Sequence, residues 1–353
     1  MRVLYFGTYE RTYPRNAQVV SSLRAAGVEV EERHAPVWEH EEHKWASGPA
    51  AGLRLLAAEA RLMRRTPGDF DAVIVGYPGH LDLPAARRTA RGRPVVFNPL
   101  VSLYDTLVGD RRRFGPRSIP ARTLRWIDRR ALRAADLVVA DTEANAAYLA
   151  DLAALPPDRV EACLVGAEDR LFRPPWSAGG AFLFVGKLIP LHGVGTILEA
   201  ARLAPELDVK IVGSGQSDAV LRDRPPNVHW STWQPYEELP AAYRRALGAL
   251  GIFGTTAKAG RVIPNKVFQA LACGAPVITA DTPAARELLS NGEDALLVPA
   301  GNPQALADTM RTVASDSALR TQIASAGRKT YEEHASEPVL GARWRAILER
   351  LLR

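Results

Sequence analysis

The chain has 353 residues, of which 47% are hydrophobic and 24% charged, so it is long enough to bury the cores of two globular domains. Its apolar stretches are shorter than about 18 residues, which excludes a membrane-spanning helix, and its first residues lack the apolar core of a signal peptide. The net charge of +6 favours anionic partners: nucleotides, phosphates, anionic lipid or nucleic acid.

Cysteine and histidine usage points to a reduced protein without a structural metal. Cys163 and Cys273 lie far apart in apolar surroundings, where small buried residues of a cytoplasmic protein are expected instead of a disulfide. No group of Cys and His residues has metal-ligand spacing, so no structural zinc is expected.

Residues 1–172 predict one α/β domain. Short apolar runs alternate with helical patterns, which favours a mostly parallel, doubly wound sheet. The predicted strands are Val3–Phe6, Val28–Val30, Ala72–Val75, Val95–Phe97, Leu137–Ala140 and Val160–Val165, and the predicted helices include Asn16–Ala26 and Leu53–Met63. Ligands of such sheets bind beyond the carboxyl ends of the strands, which directs attention to the loops at 7–16, 76–80 and 98–105.

The most basic segment is Arg111–Arg133, with nine arginines and a single acidic residue, Asp128. As a helix with Ser118 as its N-cap, it would carry Arg122, Arg125, Arg129 and Arg133 beside Trp126, and Leu124, Ile127 and Ala131 on its core face. Such a helix is either an ordinary solvated face or a surface for anionic lipid head groups at the inner membrane face. No nucleic-acid motif accompanies it.

Residues 173–180 read as a linker, since prolines and glycines interrupt the hydrophobic pattern there. Residues 181–335 then predict a second α/β domain, and residues 336–353 a terminal helix that returns to the first domain. The predicted strands of this half are Ala181–Val185, Val209–Val212, Val228–Trp230, Leu250–Phe253 and Pro276–Ala280, and its predicted helices are Ala305–Val313, Leu319–Tyr331 and Pro338–Leu352.

The stretch 261–287 organises this second half. Pro264 suits a first helical turn, in which Asn265 and Lys266 would follow. Backbone N–H groups at a helix start, the positive end of the helix dipole and a lysine together suit a bound phosphate. An ordinary βα unit with solvated polar residues is the alternative interpretation.

The run FQALACGAPVITAD (residues 268–281) resembles the donor-site signature of retaining GT-B glycosyltransferases, in particular glycosyltransferase family 4. Arg261 and Gln269 occupy the positions at which that family usually has two glutamates. Glu287 occupies a further position that is often acidic in the family. The resemblance implies two Rossmann-like domains facing a central cleft. It also implies that Gln269 holds the donor ribose through its amide, and that Arg261 stands where the family's first glutamate touches the transferred sugar.

The segment from Gly186 to Gly193 resembles the family's Gly-Arg-x4-Lys-Gly motif, whose cations hold the donor diphosphate. Lys187 and His192 replace the arginine and the lysine, and Lys187 would act as a point charge without a bidentate fork. The resemblance also places the turn of Gly213 and Gly215 near the nucleotide. Trp233 or Gln234 would contact the nucleobase. A dinucleotide fingerprint is excluded because position 218 is Asp.

In the first half, the resemblance places Gly7 beside the donor phosphates, where the absence of a Cβ permits close approach. Tyr9, Tyr13 and Arg15 are expected on the acceptor side, and Asn98 or Asp105 stands in for a family histidine that touches the sugar. His80 is a further loop candidate.

The resemblance implies a glycosyltransferase that moves a hexose-type sugar from a nucleotide-sugar donor, with UDP- or GDP-sugar expected, to an acceptor hydroxyl that can be lipid-linked. It implies retention of configuration without a metal or a further cofactor. Lys187, His192 and Arg261 are the expected catalytic contacts, and Asp105 or His80 would be the base if the reaction inverted. The alternatives are a GT-B-fold nucleotide-sugar epimerase and a non-catalytic nucleotide-sugar-binding relative.

Overall fold

The computed structural model describes residues 1–37, 49–64 and 68–353. The chain forms two compact units, Met1–Val165 with Glu337–Arg353 and Gly166–Ser336. The segment 173–180, expected to be a linker, lies within the second unit. There Trp176 Nε1 donates a hydrogen bond to the carbonyl oxygen of Ala246 at 2.8 Å, and the amide of Ser177 donates to Arg244 O at 2.8 Å.

The first unit contains a six-stranded parallel sheet in the order β2-β1-β3-β4-β5-β6. The strands are β1 Arg2–Gly7, β2 Glu29–His34, β3 Ala72–Val75, β4 Val95–Phe97, β5 Leu137–Ala140 and β6 Val160–Ala162. The helices of the unit are α1 Pro14–Ala25, α2 Pro49–Arg64, α3 Leu83–Ala90, α4 Ile119–Ala134, α5 Glu143–Ala153 and, from the end of the chain, α11 Glu337–Leu351.

Alternation along β1 divides the core of this unit into two layers, because neighbouring side chains of a strand point to opposite faces. Leu4 and Phe6 pack with buried residues of α2, α3, α4 and α5. Val3 and Tyr5 pack with α1 and α11, including the buried Trp344. The terminal helix therefore completes one face of the first sheet, as the sequence predicts.

The second unit contains another six-stranded parallel sheet, in the order β12-β11-β10-β7-β8-β9. Its strands are β7 Ala181–Val185, β8 Asp208–Val212, β9 Val228–Ser231, β10 Gly248–Leu250, β11 Val277–Asp281 and β12 Leu296–Pro299. Its helices are α6 Val194–Leu203, α7 Leu239–Arg244, α8 Asn265–Cys273, α9 Pro303–Ser315 and α10 Ser317–His334.

Both sheets have a switch point where the strand order reverses, between β1 and β3 in the first and between β7 and β10 in the second. The second order corresponds to the Rossmann order of strands, and the first to the flavodoxin-like order. The prediction of an α/β chain with two doubly wound, Rossmann-like domains is confirmed. Within the described residues, no helix is long and apolar enough to cross a membrane.

Several predicted boundaries differ from those of the structure. The strand predicted at Leu250–Phe253 is Gly248–Leu250, whose small residues conceal it in the sequence, although Ile252 O still accepts from Ala280 N at 3.0 Å. The strand predicted at Val160–Val165 ends at Ala162. Pro264 is the N-cap of α8, one residue before its first turn.

The start of α4 is as predicted. Ser118 is extended, and its hydroxyl accepts a hydrogen bond from the amide of Ala121 at 3.3 Å. Ala131 is buried on the core side, Leu124 and Ile127 are half-buried, and Trp126 is exposed.

Candidate functional site

The loops that follow β7, β8 and β10 lie at the carboxyl edge of the second sheet, around its switch point. Two of them approach each other closely. A Cβ added at Gly213, whose φ is +138°, would lie 2.0 Å from the carbonyl oxygen of Gly186. The amide of Leu188 also donates to Ser214 O at 3.1 Å. The glycine turn therefore positions the backbone of the 186–193 loop.

Lys266, in the first turn of α8, reaches under this loop. Its Nζ lies 4.4 Å from the centre of the Phe184 ring, and a Cβ added at Gly186 would lie 2.9 Å from the same atom. The side chain is buried, and desolvation lowers the pKa of its ammonium group to about 7. Near neutral pH, this amine therefore gains or loses a proton easily.

Lys187 and His192 belong to the same loop. His192 is buried, its ring stands edge-on to Phe184 at 5.7 Å between ring centres, and its Nδ1 contacts the carbonyl oxygen of Lys187. Since a carbonyl oxygen only accepts, Nδ1 carries a proton, and Nε2 donates only when the ring is an imidazolium. Lys187 itself is exposed.

The first turn of α8 provides backbone donors beside Lys266. Pro264 is extended and caps the helix without a side-chain hydrogen bond. The first N–H groups of a helix have no intrahelical acceptor, and with the helix dipole they favour an anion. A cation and a helix start thus meet at one edge of the sheet.

Gln269, one of the two positions at which the sequence departs from the resembled family, is buried in a polar network. Tyr243 Oη donates to Gln269 Oε1 at 3.2 Å. Tyr236 lies near both Gln269 and Glu168: burial and the nearby carboxylate of Glu168 raise the pKa of its hydroxyl, and the amide of Gln269 lowers it, although this buried hydroxyl forms no hydrogen bond within the described residues. A neutral amide suits this position, because a carboxylate there would share a buried site with Glu168. Arg261 ends a short 3-10 turn before α8 and is half-buried.

The two predicted nucleobase residues differ in their surroundings. Trp233 follows β9 and is 73% exposed, so its ring is available to a ligand. Gln234 lines a cavity of about 400 Å³ together with Ala181, at the amino end of β7, and Lys210. Gln234 therefore lies beside the first residues of β7. The 186–193 loop follows the opposite end of that strand.

In the first unit, the loop after β1 is held by Asp82. The amide of Thr8 donates to Asp82 Oδ2 at 2.7 Å, and its hydroxyl donates to Oδ1 at 3.0 Å. A Cβ at Gly7 would lie 2.2 Å from Oδ2. Burial, then the hydrogen bond and charge of Asp82, raise the pKa of the Glu59 carboxyl well above its usual range. Sequence reasoning missed this carboxyl pair, although an aspartate shortly after a buried strand is a signal for it.

Arg15 is fully buried, and its guanidinium group forms hydrogen bonds within the first unit. Nε donates to Asn98 Oδ1 at 2.8 Å, Nη1 donates to the carbonyl oxygens of Cys163 and Leu164, and Nη2 donates to that of Ala140. Asn98 is buried with it. Both residues, expected on the acceptor side, therefore tie the ends of β4, β5 and β6 to α1.

The two tyrosines of the first loop also pack into the unit. Tyr9 is buried, and its hydroxyl donates to Glu32 Oε2 at 2.8 Å. Tyr13 is half-buried, with its ring centre 4.6 Å from that of Tyr77. Of these two, Tyr13 presents more of its side chain to a ligand.

The remaining candidates, Asp105 and His80, lie near the carboxyl edge of the first sheet. Asp105 is buried at the start of a π-helical turn, Asp105–Asp110. His80 Nε2 lies 3.3 Å from Asp128 Oδ1, and its Nδ1 contacts Pro78 O. Among the residues at 1–37, 49–64 and 68–353, no group of three or more His, Cys, Asp or Glu is arranged to hold a metal ion.

Comparison with known proteins covers both units. Residues 2–166 match a glycosyl transferase 4-like domain, and residues 195–348 match a glycosyl transferase-like domain. The D-inositol 3-phosphate glycosyltransferase of Frankia alni is 29% identical over 295 residues, which are 73% of this chain and 69% of that protein.

Two solved structures are similar over nearly the whole chain. Anabaena HepE, solved with UDP-glucose, has a TM-score of 0.73 at 17% identity and covers 99% of this chain and 100% of its own. Sucrose-phosphate synthase of Thermosynechococcus elongatus has a TM-score of 0.74 at 16% identity, with 99% and 98% covered. At these identities the likeness shows the fold.

The two sheets, their order of strands and these matches define a glycosyltransferase of the GT-B fold. Within that class the matches indicate a glycosyltransferase of the 4-like type. The family and the enzyme class predicted from the donor-site signature are confirmed. The comparisons do not favour the epimerase or the non-catalytic alternative.

Proposed function

We propose that this enzyme transfers a hexose-type sugar from a nucleoside diphosphate sugar, with a UDP- or GDP-sugar as donor, to an acceptor hydroxyl. The observation that carries the proposal is a set of groups that suit a bound anion, at the carboxyl edge of the second sheet. It combines the 186–193 loop, the buried Lys266 and the first turn of α8. HepE, whose structure contains UDP-glucose, has the same fold, which supports a nucleotide-sugar donor.

The chemistry requires stabilisation of the departing diphosphate. The bond between the anomeric carbon and the phosphate oxygen breaks, and a bond to the acceptor oxygen forms. In a retaining reaction the acceptor proton passes to the leaving phosphate. Lys187, protonated Lys266 and the N–H groups at the start of α8 would balance the charge that develops on that phosphate. With these groups the reaction would need neither a metal ion nor a further cofactor.

Retention also agrees with the surroundings of His80. An inverting reaction needs a protein base within reach of the acceptor hydroxyl. Both ring nitrogens of His80 already face polar partners, Pro78 O and Asp128. A mechanism in which the leaving phosphate accepts the proton needs no such base.

We place the enzyme in the cytoplasm, because its two cysteines are buried and free.

The test is a thermal-shift screen of the full chain against UDP-, GDP-, ADP- and dTDP-sugars, followed by a turnover assay with the donor that raises the midpoint. One nucleotide should raise the midpoint by several degrees, because a ligand that binds the native state stabilises it. Absence of any shift in folded protein would overturn the proposal.

Variants of the two unusual positions then connect binding to turnover. R261A and Q269A should lower turnover while the protein stays folded. The matched controls are R222A and Q322A, since both of these residues are exposed in the second unit. Equal turnover in all four variants would remove Arg261 and Gln269 from the site.

A further inference from the structure

One face of α4 is basic and exposed along its whole length. From Ile119 to Arg133 the helix rises about 21 Å. Positions three, four and seven residues apart share a helix face, and those facing solvent here are Ile119, Arg122, Thr123, Trp126, Arg130 and Arg133, with Arg125 and Arg129 at the flank. Of the arginine stripe predicted from the sequence, Arg122 and Arg133 lie on this face, whereas Arg125 and Arg129 lie at its flank. The face also carries two large apolar side chains.

The arginines of this face are not neutralised within the part of the chain that the structure describes. Arg122, Arg125, Arg129, Arg130 and Arg133 form no ion pair there with a carboxylate. Exposed arginines elsewhere do pair, as Arg286 does with Asp281 at 2.5 Å and Arg311 with Glu206 at 2.7 Å. The one acid of α4, Asp128, is buried and accepts from Ser102 Oγ at 2.7 Å and Leu103 N at 2.9 Å.

The two apolar side chains distinguish this face from a purely basic one. Ile119 is 78% exposed and Trp126 is 59% exposed, and a spacing of seven residues puts them on the same side of the helix. The guanidinium group of Arg130 lies 5.5 Å from the centre of the Trp126 ring. An exposed tryptophan flanked by arginines is the arrangement that interfacial helices use at the head-group boundary.

The face is also concave. Arg122, Arg125, Trp126, Arg129, Arg130 and Arg133 line an open concavity of about 800 Å³. Ile119, Arg122, Thr123 and Trp126 line a second one beside it. Several guanidinium groups therefore converge on the same space, where phosphate oxygens accept two hydrogen bonds from each fork.

We propose that this face of α4 docks the enzyme onto the surface of an anionic lipid bilayer. The arginines would bind lipid phosphates, and Trp126 and Ile119 would enter the boundary between head groups and acyl chains. Charge alone fits a nucleic-acid backbone equally well. Ile119 is apolar and exposed, so neither a base nor a phosphate would be a partner for it. It can enter the apolar part of a bilayer, and this favours lipid. The proposal concerns a partner of the first unit and does not depend on the identity of the donor sugar.

The test is co-sedimentation of the full chain with vesicles of phosphatidylcholine alone and of phosphatidylcholine mixed with phosphatidylglycerol. Binding should require the anionic lipid and weaken as salt is added. The charge reversal R122E/R130E should weaken it about 30-fold or more, since each arginine near the surface contributes about 1 kcal/mol. W126A should weaken the binding that remains at high salt.

The matched control is R173E/R222E, which changes the net charge equally at exposed arginines of the second unit. It should bind vesicles like the wild type. Absence of vesicle binding, equal binding to both lipid compositions, or equal loss in the control would overturn the proposal. A single-stranded RNA oligonucleotide is titrated in parallel. RNA binding that R122E/R130E abolishes, without vesicle binding, would assign the face to nucleic acid instead.

Discussion

Lys266 joins charge and burial in one residue. Its amine is desolvated beneath the 186–193 loop, and this lowers its pKa from 10.5 to about 7. Between these two values the folded protein binds fewer protons than the unfolded chain does. The free energy of unfolding therefore rises with pH across that window as far as Lys266 contributes. An arriving diphosphate reverses the preference and favours the charged form.

We predict that the dissociation constant of the nucleotide sugar rises with pH above about 7, by up to tenfold per unit, because binding takes up a proton. K266M should bind the donor more weakly and lose this dependence. It should also be more stable than the wild type at about pH 7 and below, where the buried charge is costly. Titration calorimetry across pH, in two buffers of different ionisation enthalpy, measures the proton uptake directly. A nucleotide sugar serves because its diphosphate does not titrate in this range.

The control is K329M, since the side chain of Lys329 is 74% exposed and forms an i,i+4 pair with Glu333. It should keep the proton uptake of the wild type. The same pH slope in K266M as in the wild type would show that another group takes up the proton.

Residue roles were the hardest part to predict from the sequence. A lysine in a first helical turn indicated an anion site, and the structure does place its amine beside the loop after β7. Arg15 has the same kind of sequence context, yet it is buried and bonded to carbonyl oxygens. Arginines are rarely buried, and the three carbonyl groups that bind this one lie about 125 to 149 positions further along the chain. No local pattern shows that.

At the scale of elements, α1 and α11 pack with their backbones close together. A Cβ added at Gly341 of α11 would lie 2.2 Å from the carbonyl oxygen of Ser22 and 3.1 Å from Ala26 Cβ. The close approach lets Trp344 pack in the core of the first unit, with the guanidinium group of Arg15 5.8 Å from the centre of its ring.

We predict that G341A lowers the free energy of unfolding by at least about 2 kcal/mol, since an added methyl group must push the helices apart. In an open helix the same change raises stability by up to about 1 kcal/mol. Denaturant titration of the full chain, followed by far-UV circular dichroism, measures the free energy of unfolding of the variant and of the wild type.

The control is G195A in α6, where an added Cβ meets nothing within 4 Å. This variant should be neutral or more stable. Opposite signs for the two variants support the close packing, whereas a stabilising G341A would refute it.

Elements themselves were largely predictable, because periodicity and capping are local. Ser118 indicated the start of α4 correctly. The strand β10 was displaced by two residues in the prediction, because Gly248 and Ala249 have little strand preference. Their places are set by pairing with Phe182 and Leu183 of β7, contacts that no nearby residue indicates.

At the scale of the whole molecule, the two units differ in continuity. The second is one uninterrupted segment, Gly166–Ser336, and the first needs two segments, Met1–Val165 and Glu337–Arg353. The expected donor contacts, apart from Gly7, belong to the second unit.

We predict that residues 166–336 fold cooperatively when expressed alone and bind the donor that stabilises the full chain. Residues 1–165 alone should not fold cooperatively, because the core face of α1 then lacks Leu340, Trp344 and Ile347. Thermal unfolding and nucleotide-sugar titration of both fragments measure this. Adding residues 337–353 to the shorter fragment through a flexible linker should restore folding. A stable fragment 1–165 would contradict the role given to α11.

The split of the first unit across the chain also bears on the order of events at the ribosome. Residues emerge from the N-terminus onward, so the second unit has all of its residues before α11 is made. The first unit is therefore completed after the second. Until synthesis reaches Leu348, the apolar face of α1 lacks its partner helix, and the nascent chain must be kept from other nascent chains during that interval.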